Sequence, residues 1–229
     1  MRAILVWTWR TLVAGIVGIV AVVAIFRVVP PAFTPLMLWR FVQAPFTGKS
    51  LLVRHQWVAA SDVNPTVFRA VINSEDRKFY RHGGIDWDAV RAAERANPGR
   101  IKRGKPPRGA STITMQTAKN VFLVPWRSMV RKAFEVVFVY LIEAIWGKQR
   151  ILEVYVNMIE WGDGIYGVQQ AARQHFGTTA AQLRADQAAL LAAVLPNPRK
   201  FNAGKPSPYI KRKASGSVRG RVVGGTRTK

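Results

Sequence analysis

Two glutamates, a glutamine, a lysine and an arginine recur in short spaced blocks that carry the chemistry open to this chain. The first block, Ser74 to Trp87, reads SEDRKFYRHGGIDW. Taken as one continuous helix, it places Glu75, Phe79 and His82 on a single face at i, i+4 and i+7. A carboxylic acid on an apolar face beside a ring is suited to proton transfer. Gly83 and Gly84 then end the helix, and Asp86 caps the next one. An isolated Glu–Asp pair is more often a surface acid beside a cap.

The second block, Arg108 to Asn120, reads RGASTITMQTAKN. Gly109 precedes the hydroxyls Ser111, Thr112 and Thr114, with Gln116 and Lys119 one and two turns further on. A helix start of this kind offers free N–H groups and a positive dipole end to a phosphate. Lys119 adds a point charge. Any N-capped helix shares these features, so the block alone does not establish a phosphate site. The third block, Arg131 to Glu143, sets Arg131 and Lys132 one turn before Glu135 and follows with the apolar run VVFVYLI. At a surface such an ion pair contributes little. In a partly buried setting it is costly unless it is used.

The elements that must position these blocks are helices broken by Gly/Pro loops. Helical patterns cover Val67–Arg77, Asp86–Ala96, Ser111–Asn120, Ser128–Gly147, Lys148–Asn157, Gly167–Phe176 and Ala181–Leu195. Alternating runs long enough for a sheet are scarce, so the fold class is mainly α. Val136 to Ile142 is too short to span a membrane and is expected to be a helix buried through the domain centre. Glu153, Asn157 and Glu160 read as structural. The loop Asn97 to Gly109 and the segment from Lys205 are expected to be loose, basic and solvated.

The first thirty residues are different. Thr11 to Phe26 carries no charge, and Ile4 to Val29 is long enough to cross a bilayer if Arg10 and Arg27 snorkel. A cleaved signal peptide would show a small-residue cleavage site, which is missing before Pro30 and Pro31, so an uncleaved single anchor is expected. Arg2 and Arg10 favour an inside N-terminus, although Arg27 and Arg40 weaken the bias. Aromatics between residues 31 and 60, among them Phe33, Trp39 and Phe46, suit either the bilayer surface or core packing. The expected organisation is 1–30 cytoplasmic tip and transmembrane anchor, 31–60 juxtamembrane connector, 61–205 catalytic domain and 206–229 basic C-terminal tail.

Lysine and arginine number 35 against 12 acidic residues, a formal charge of +23. Such a surface attracts a polyanion, whether nucleic acid, anionic lipid or a diphosphate. Cysteine is absent, which excludes disulfides and thiolate metal sites. His55, His82 and His175 lack zinc-ligand spacing.

The order and spacing of the blocks resemble the peptidoglycan glycosyltransferases of family 51, found alone or as the first domain of bifunctional penicillin-binding proteins. The resemblance rests on Glu75-Asp76, Phe79, His82, Gly84 and Asp86; on Gly109 to Thr114 with Gln116, Lys119 and Asn120; on Arg131, Lys132 and Glu135; and on Ile151-Leu152-Glu153, Tyr155 and Asn157. It covers roughly residues 60–205. GASTI and TAKN look most like the short monofunctional members. Met115, Val139 and Gln187 depart from the family's usual residues.

That resemblance implies a lysozyme-like helical lobe and a smaller membrane-proximal lobe behind one transmembrane helix. It implies polymerisation of lipid II by inverting transfer from an undecaprenyl-diphosphate-linked glycan to an acceptor sugar hydroxyl. Glu75 is then the general base and Glu135 the second catalytic carboxylate, which holds a metal, orients Arg131 or stabilises the anomeric centre. Ser111, Thr112, Gln116, Lys119 and Arg131 bind substrate and diphosphate, while Asp76, Phe79 and His82 shape the site. A magnesium or other divalent ion is the candidate cofactor, with no organic one. The expected partners are the lipid substrates, the membrane and wall-building or division proteins, with no nucleic acid. The bacterial inner (plasma) membrane is the expected location, with the catalytic part outside.

A lytic hydrolase would also place carboxylates around a sugar but has no use for Lys119 and Arg131 on a phosphate. A nucleic-acid binder would survive loss of Glu75 and fail in salt. Transpeptidase motifs S-x-x-K and K-T-G are absent from the sequence, so that activity is not expected.

Overall fold

A computed structural model of the chain describes residues 2–48, 53–126 and 128–219. It is mainly α, as expected, with one small sheet. Helix α1 (Arg2–Phe26) contains the stretch Val6–Phe26, long and apolar enough to cross a membrane. At about 1.5 Å per residue that stretch reaches roughly the 30 Å of a hydrocarbon core. Only 6% of its most apolar window is buried by the rest of the chain.

Its C-terminal end is gripped. Val23 is fully buried, and the Trp146 indole N–H donates to the Val23 carbonyl at 2.6 Å. The Arg150 guanidinium donates to the Phe26 carbonyl at 2.9 and 3.1 Å and to Val29 at 3.2 Å. The last carbonyls of a helix have no partners within it. Here two side chains of the helical body supply them.

Helix α2 (Pro35–Thr47) follows, with Pro35 at its start and the Thr34 hydroxyl accepting from Met37 N–H. Its inner face, Leu36, Met37 and Ala44, is buried, while Leu38, Phe41 and Phe46 are exposed. The body then runs α3 (Pro65–Glu75), α4 (Trp87–Lys102), α5 (Ile113–Phe122), α6 (Met129–Ile145), α7 (Gly147–Met158), α8 (Val168–Phe176), α9 (Ala185–Val194) and α10 (Pro208–Arg219). Strand β1 (Arg54–His55) pairs in parallel with β3 (Ile165–Tyr166), and β2 (Glu160–Gly162) pairs antiparallel on its other side.

Helix α5 is the hub, packed against α2, α6 and α7. Its buried residues include Ile113, Ala118 and Val121. Helix α9 is rich in Ala and Leu and largely buried from Gln187 to Val194, which lets α3 and α10 both pack against it. Asn157, fully buried on α7, ties the incoming segment: its amide accepts from Val58 N–H and donates to the Val58 carbonyl.

Several expectations are corrected. The helix expected through His82 stops at Glu75, and a short 3₁₀ turn covers Phe79–Arg81. Glu75, Phe79 and His82 therefore do not share one helical face. Helix α6 is not buried all round: Glu135, Phe138, Val139 and Ile142 face inward, but Phe134, Val137 and Tyr140 are about half exposed. Apolar composition cannot distinguish a core from an exposed apolar face. Helix α4 runs past Ala96 through Pro98 to Lys102. The basic loop beyond it is pinned, since the Asn97 amide accepts from Arg108 N–H and donates to the Arg108 carbonyl. The segment from Lys205, expected as a loose tail, is helical through Arg219 and buries Ile210 and Ala214. Residues 220–229 of that tail lie outside the described residues.

Candidate active site

Glu75 is the last residue of α3, half-buried at the edge of a cavity of about 600 Å³ that Arg77, Lys78, Arg108 and Ser111 also line. Its carboxylate accepts from the Ser74 hydroxyl at 3.1 Å and from the Gln116 amide at 3.2 Å. The Gln116 oxygen in turn accepts from the Tyr155 hydroxyl at 3.2 Å. Tyr155 is fully buried, and burial, reinforced by the Glu75 and Asp76 charges, pushes its pKa well above the usual tyrosine range. It therefore stays a donor. That fixes the Gln116 amide with its NH₂ toward Glu75, leaving a carboxylate held by donors on two sides.

Gln116 also lines a second cavity of about 280 Å³, together with Lys119, Arg131, Tyr155, Glu160 and Arg40. Burial holds the Lys119 ammonium below the usual lysine range, and the nearby Glu135 carboxylate restores only part of the loss. Glu135 is buried, and its two oxygens accept from Arg131 and Lys132, each at 2.7 Å. Arg40, Lys119 and Arg131 line the second cavity against one acid, Glu160, so it is electropositive. The Glu75–Gln116 contact thus links a residue of the larger polar cavity to a residue of the cationic one.

Asp76 does the positioning. Its carboxylate accepts from His82 Nε2 at 3.0 Å and from the Ile113 N–H at 3.1 Å. His82 Nδ1 accepts from Gly84 N–H at 3.2 Å, which places the ring proton on Nε2. Thr112 caps α5 by accepting from Met115 N–H, and its own hydroxyl donates to the Gly84 carbonyl. The first N–H groups of α5 expected to be free for phosphate are therefore partly taken: Ile113 and Met115 already have acceptors. Thr112 is buried within this network, whereas Ser111 is exposed at the larger cavity. Phe79 is buried beneath the Lys148 ammonium, which sits 4.6 Å from the ring centroid. Lys148 also pairs with Glu143, the acceptor for the Thr114 hydroxyl.

A protein-held divalent ion does not fit this donor set. Both Glu135 oxygens are engaged by cations, and among the described residues no three His, Asp or Glu groups converge. Sequence reasoning missed three contributors. Tyr155 belongs to a quoted block but carried no role. Glu160, read as structural, lines the cationic cavity, and Arg40 reaches it from α2. No local spacing marks Arg40, because only the tertiary fold brings α2 against α5.

A family model described as Transglycosylase matches residues 47–220. A biosynthetic peptidoglycan transglycosylase of Rhodospirillum centenum is 50% identical over 198 residues, covering 86% of this chain and 81% of that protein. Proteins of the same description from Bacteroides thetaiotaomicron and Caulobacter vibrioides are each 45% identical, over 210 and 225 residues. The Caulobacter alignment covers 96% of this chain and 93% of its relative. With the family model spanning most of its length and relatives matched nearly end to end, the chain belongs to the transglycosylase family.

Proposed function

We propose that this chain polymerises peptidoglycan glycan strands from lipid II at the outer face of the bacterial inner membrane. The observation that carries the reading is that Glu75 lines one cavity and accepts from Gln116, which lines a second cavity together with Lys119 and Arg131. The acceptor sugar occupies the larger cavity, and the diphosphate of the donor occupies the cationic one. Glu75 removes the proton from the acceptor hydroxyl as its oxygen attacks the donor anomeric carbon. The bond from that carbon to the diphosphate oxygen breaks, its electron pair leaves with the diphosphate, and the centre inverts. Lys119 and Arg131 stabilise the charge that builds on the leaving group. Glu135 acts by holding Arg131 toward the cavity, consistent with their 2.7 Å contact. No step is assigned to a metal.

Both substrates carry polyprenyl chains, which suits a catalytic body fixed to α1. The exposed apolar side chains of α2 and α6, including Phe41, Phe46, Phe134 and Val137, support a body resting on the bilayer.

The test is polymerisation of labelled lipid II by the full chain in detergent, wild type against Glu75→Gln, with and without magnesium. Polymer from wild type and none from a folded variant is the expected result. Failure of wild type under both conditions would overturn the activity. A variant as active as wild type would remove Glu75 from the role of base.

A further inference from the structure

Among the described residues, the buried side-chain polar atoms without a hydrogen-bond partner are Arg40 Nε, Arg131 Nε and Tyr166 Oη. Buried polar groups are almost always paired, so an orphaned guanidinium nitrogen on each of two residues lining one cavity points to an incomplete network there. Arg40 and Arg131 both line the 280 Å³ cavity. Tyr166 pairs with Glu160 in the β2–β3 ladder.

Arg40 comes from α2, one turn after the buried Leu36, which lines the same cavity. Its nearest counter-charge is Glu160, with Nε and Oε2 3.7 Å apart. That is an ion pair but too long for a hydrogen bond. The Glu160 side chain is only 7% exposed and the Arg40 side chain 29%, so neither is well solvated. The other Glu160 oxygen accepts from Gly164 N–H at 3.3 Å. Burial raises the pKa of Glu160, and Arg40 opposes the rise without cancelling it. The pair is thus loosely closed, and the guanidinium has donors to spare beside Lys119 and Arg131.

We propose that Arg40 is a third cation of the donor diphosphate site, supplied by the juxtamembrane helix α2, and that Glu160 is the counter-ion holding it while the cavity is empty. This rests on the reading of Lys119 and Arg131 as diphosphate ligands. The ligand class is a diphosphate ester carrying an apolar chain: two phosphates match three cations, and Leu36 and Trp126 provide apolar wall. The donor then sits between the catalytic body and the membrane-proximal helix, so α2 is part of the site.

The experiment measures binding of farnesyl diphosphate and farnesyl monophosphate to the full chain in detergent by calorimetry, with lipid II polymerisation alongside. Arg40→Met is expected to weaken diphosphate binding roughly ten- to a hundred-fold, the worth of one charged hydrogen bond, and to raise KM for the donor far more than it lowers kcat. The monophosphate should be affected less. Arg40→Lys, which keeps the charge and guards against misfolding of the Met variant, should recover part of the loss. The double variant Arg40→Met with Glu160→Gln separates the roles. If it binds diphosphate like wild type, Arg40 serves only to neutralise Glu160 and the proposal falls. If it stays weak, Arg40 contacts the ligand. Lys119→Met guards the underlying reading. Loss of binding there with none in folded Arg40→Met defeats the Arg40 role alone. Unchanged binding in Lys119→Met defeats the diphosphate site itself.

Discussion

Removing the Asp76 carboxylate tests whether that residue builds the site or reacts in it. In Asp76→Ala the Ile113 N–H and the His82 Nε2–H both lose their acceptor. Ile113 is fully buried, and the His82 side chain is 8% exposed, so water cannot readily replace either bond. Each orphaned buried donor costs about 1–3 kcal/mol, giving a central value near 4 kcal/mol for the two. At about 2–4 °C per kcal/mol for a chain of this size, the unfolding midpoint should fall by roughly 8–16 °C. Thermal unfolding in detergent, followed by circular dichroism, reads this directly. Glu75→Gln is the internal control: it keeps the shape of a half-bonded side chain at a cavity edge and should move the midpoint by only about 1–2 °C. An Asp76→Ala protein that unfolds within about 3 °C of wild type yet makes no polymer would refute the architectural assignment and make Asp76 a reacting group.

Gly84 has φ +95°, and a Cβ there would lie 2.4 Å from Val139 Cγ1 and 3.0 Å from Glu143 Cγ. Gly84→Ala should therefore cost about 2–4 kcal/mol from overpacking plus backbone strain, measurable as a lower melting midpoint. A neutral substitution would mean that α6 is free to move away. The proposed function uses Lys119 as a cation; burial lowers its pKa, so its charge is present below that pKa and is lost as pH rises through it. The alkaline limb of kcat/KM should then begin below the usual lysine range. Lys119→Arg, which stays protonated, should move that limb to higher pH. The same limb in both proteins would assign it to another group.

The residues that meet at the candidate site were legible because each sits in a short block whose spacing survives folding. Gln116 and Lys119 lie on one helix, and Arg131 and Glu135 are one turn apart. Asp86 was readable as a cap, and it accepts from Ala89 N–H. The end of α3 was not readable, because residues 75–82 keep helical spacing. The competing bond from Ile113 N–H to Asp76 comes from a distant part of the chain. The helix α10 was hidden for a related reason. Its few apolar side chains, such as Ile210 and Ala214, pack because the Ala-rich face of α9 allows a close approach. Composition counts apolar residues, whereas stability depends on what they meet.

The grip of Trp146 and Arg150 on the end of α1 makes the anchor a mast rather than a tether. A flexible linker would absorb a change in bilayer thickness as slack. A rigidly stepped helix that is too long or too short for its membrane adjusts by tilting. With α1 in a bilayer, such a tilt would pass through these contacts to the helical body and its cationic cavity. Under the proposed function, lipid acyl-chain length would then be a mechanical input to the cationic cavity, with no contact between its residues and the lipid tails.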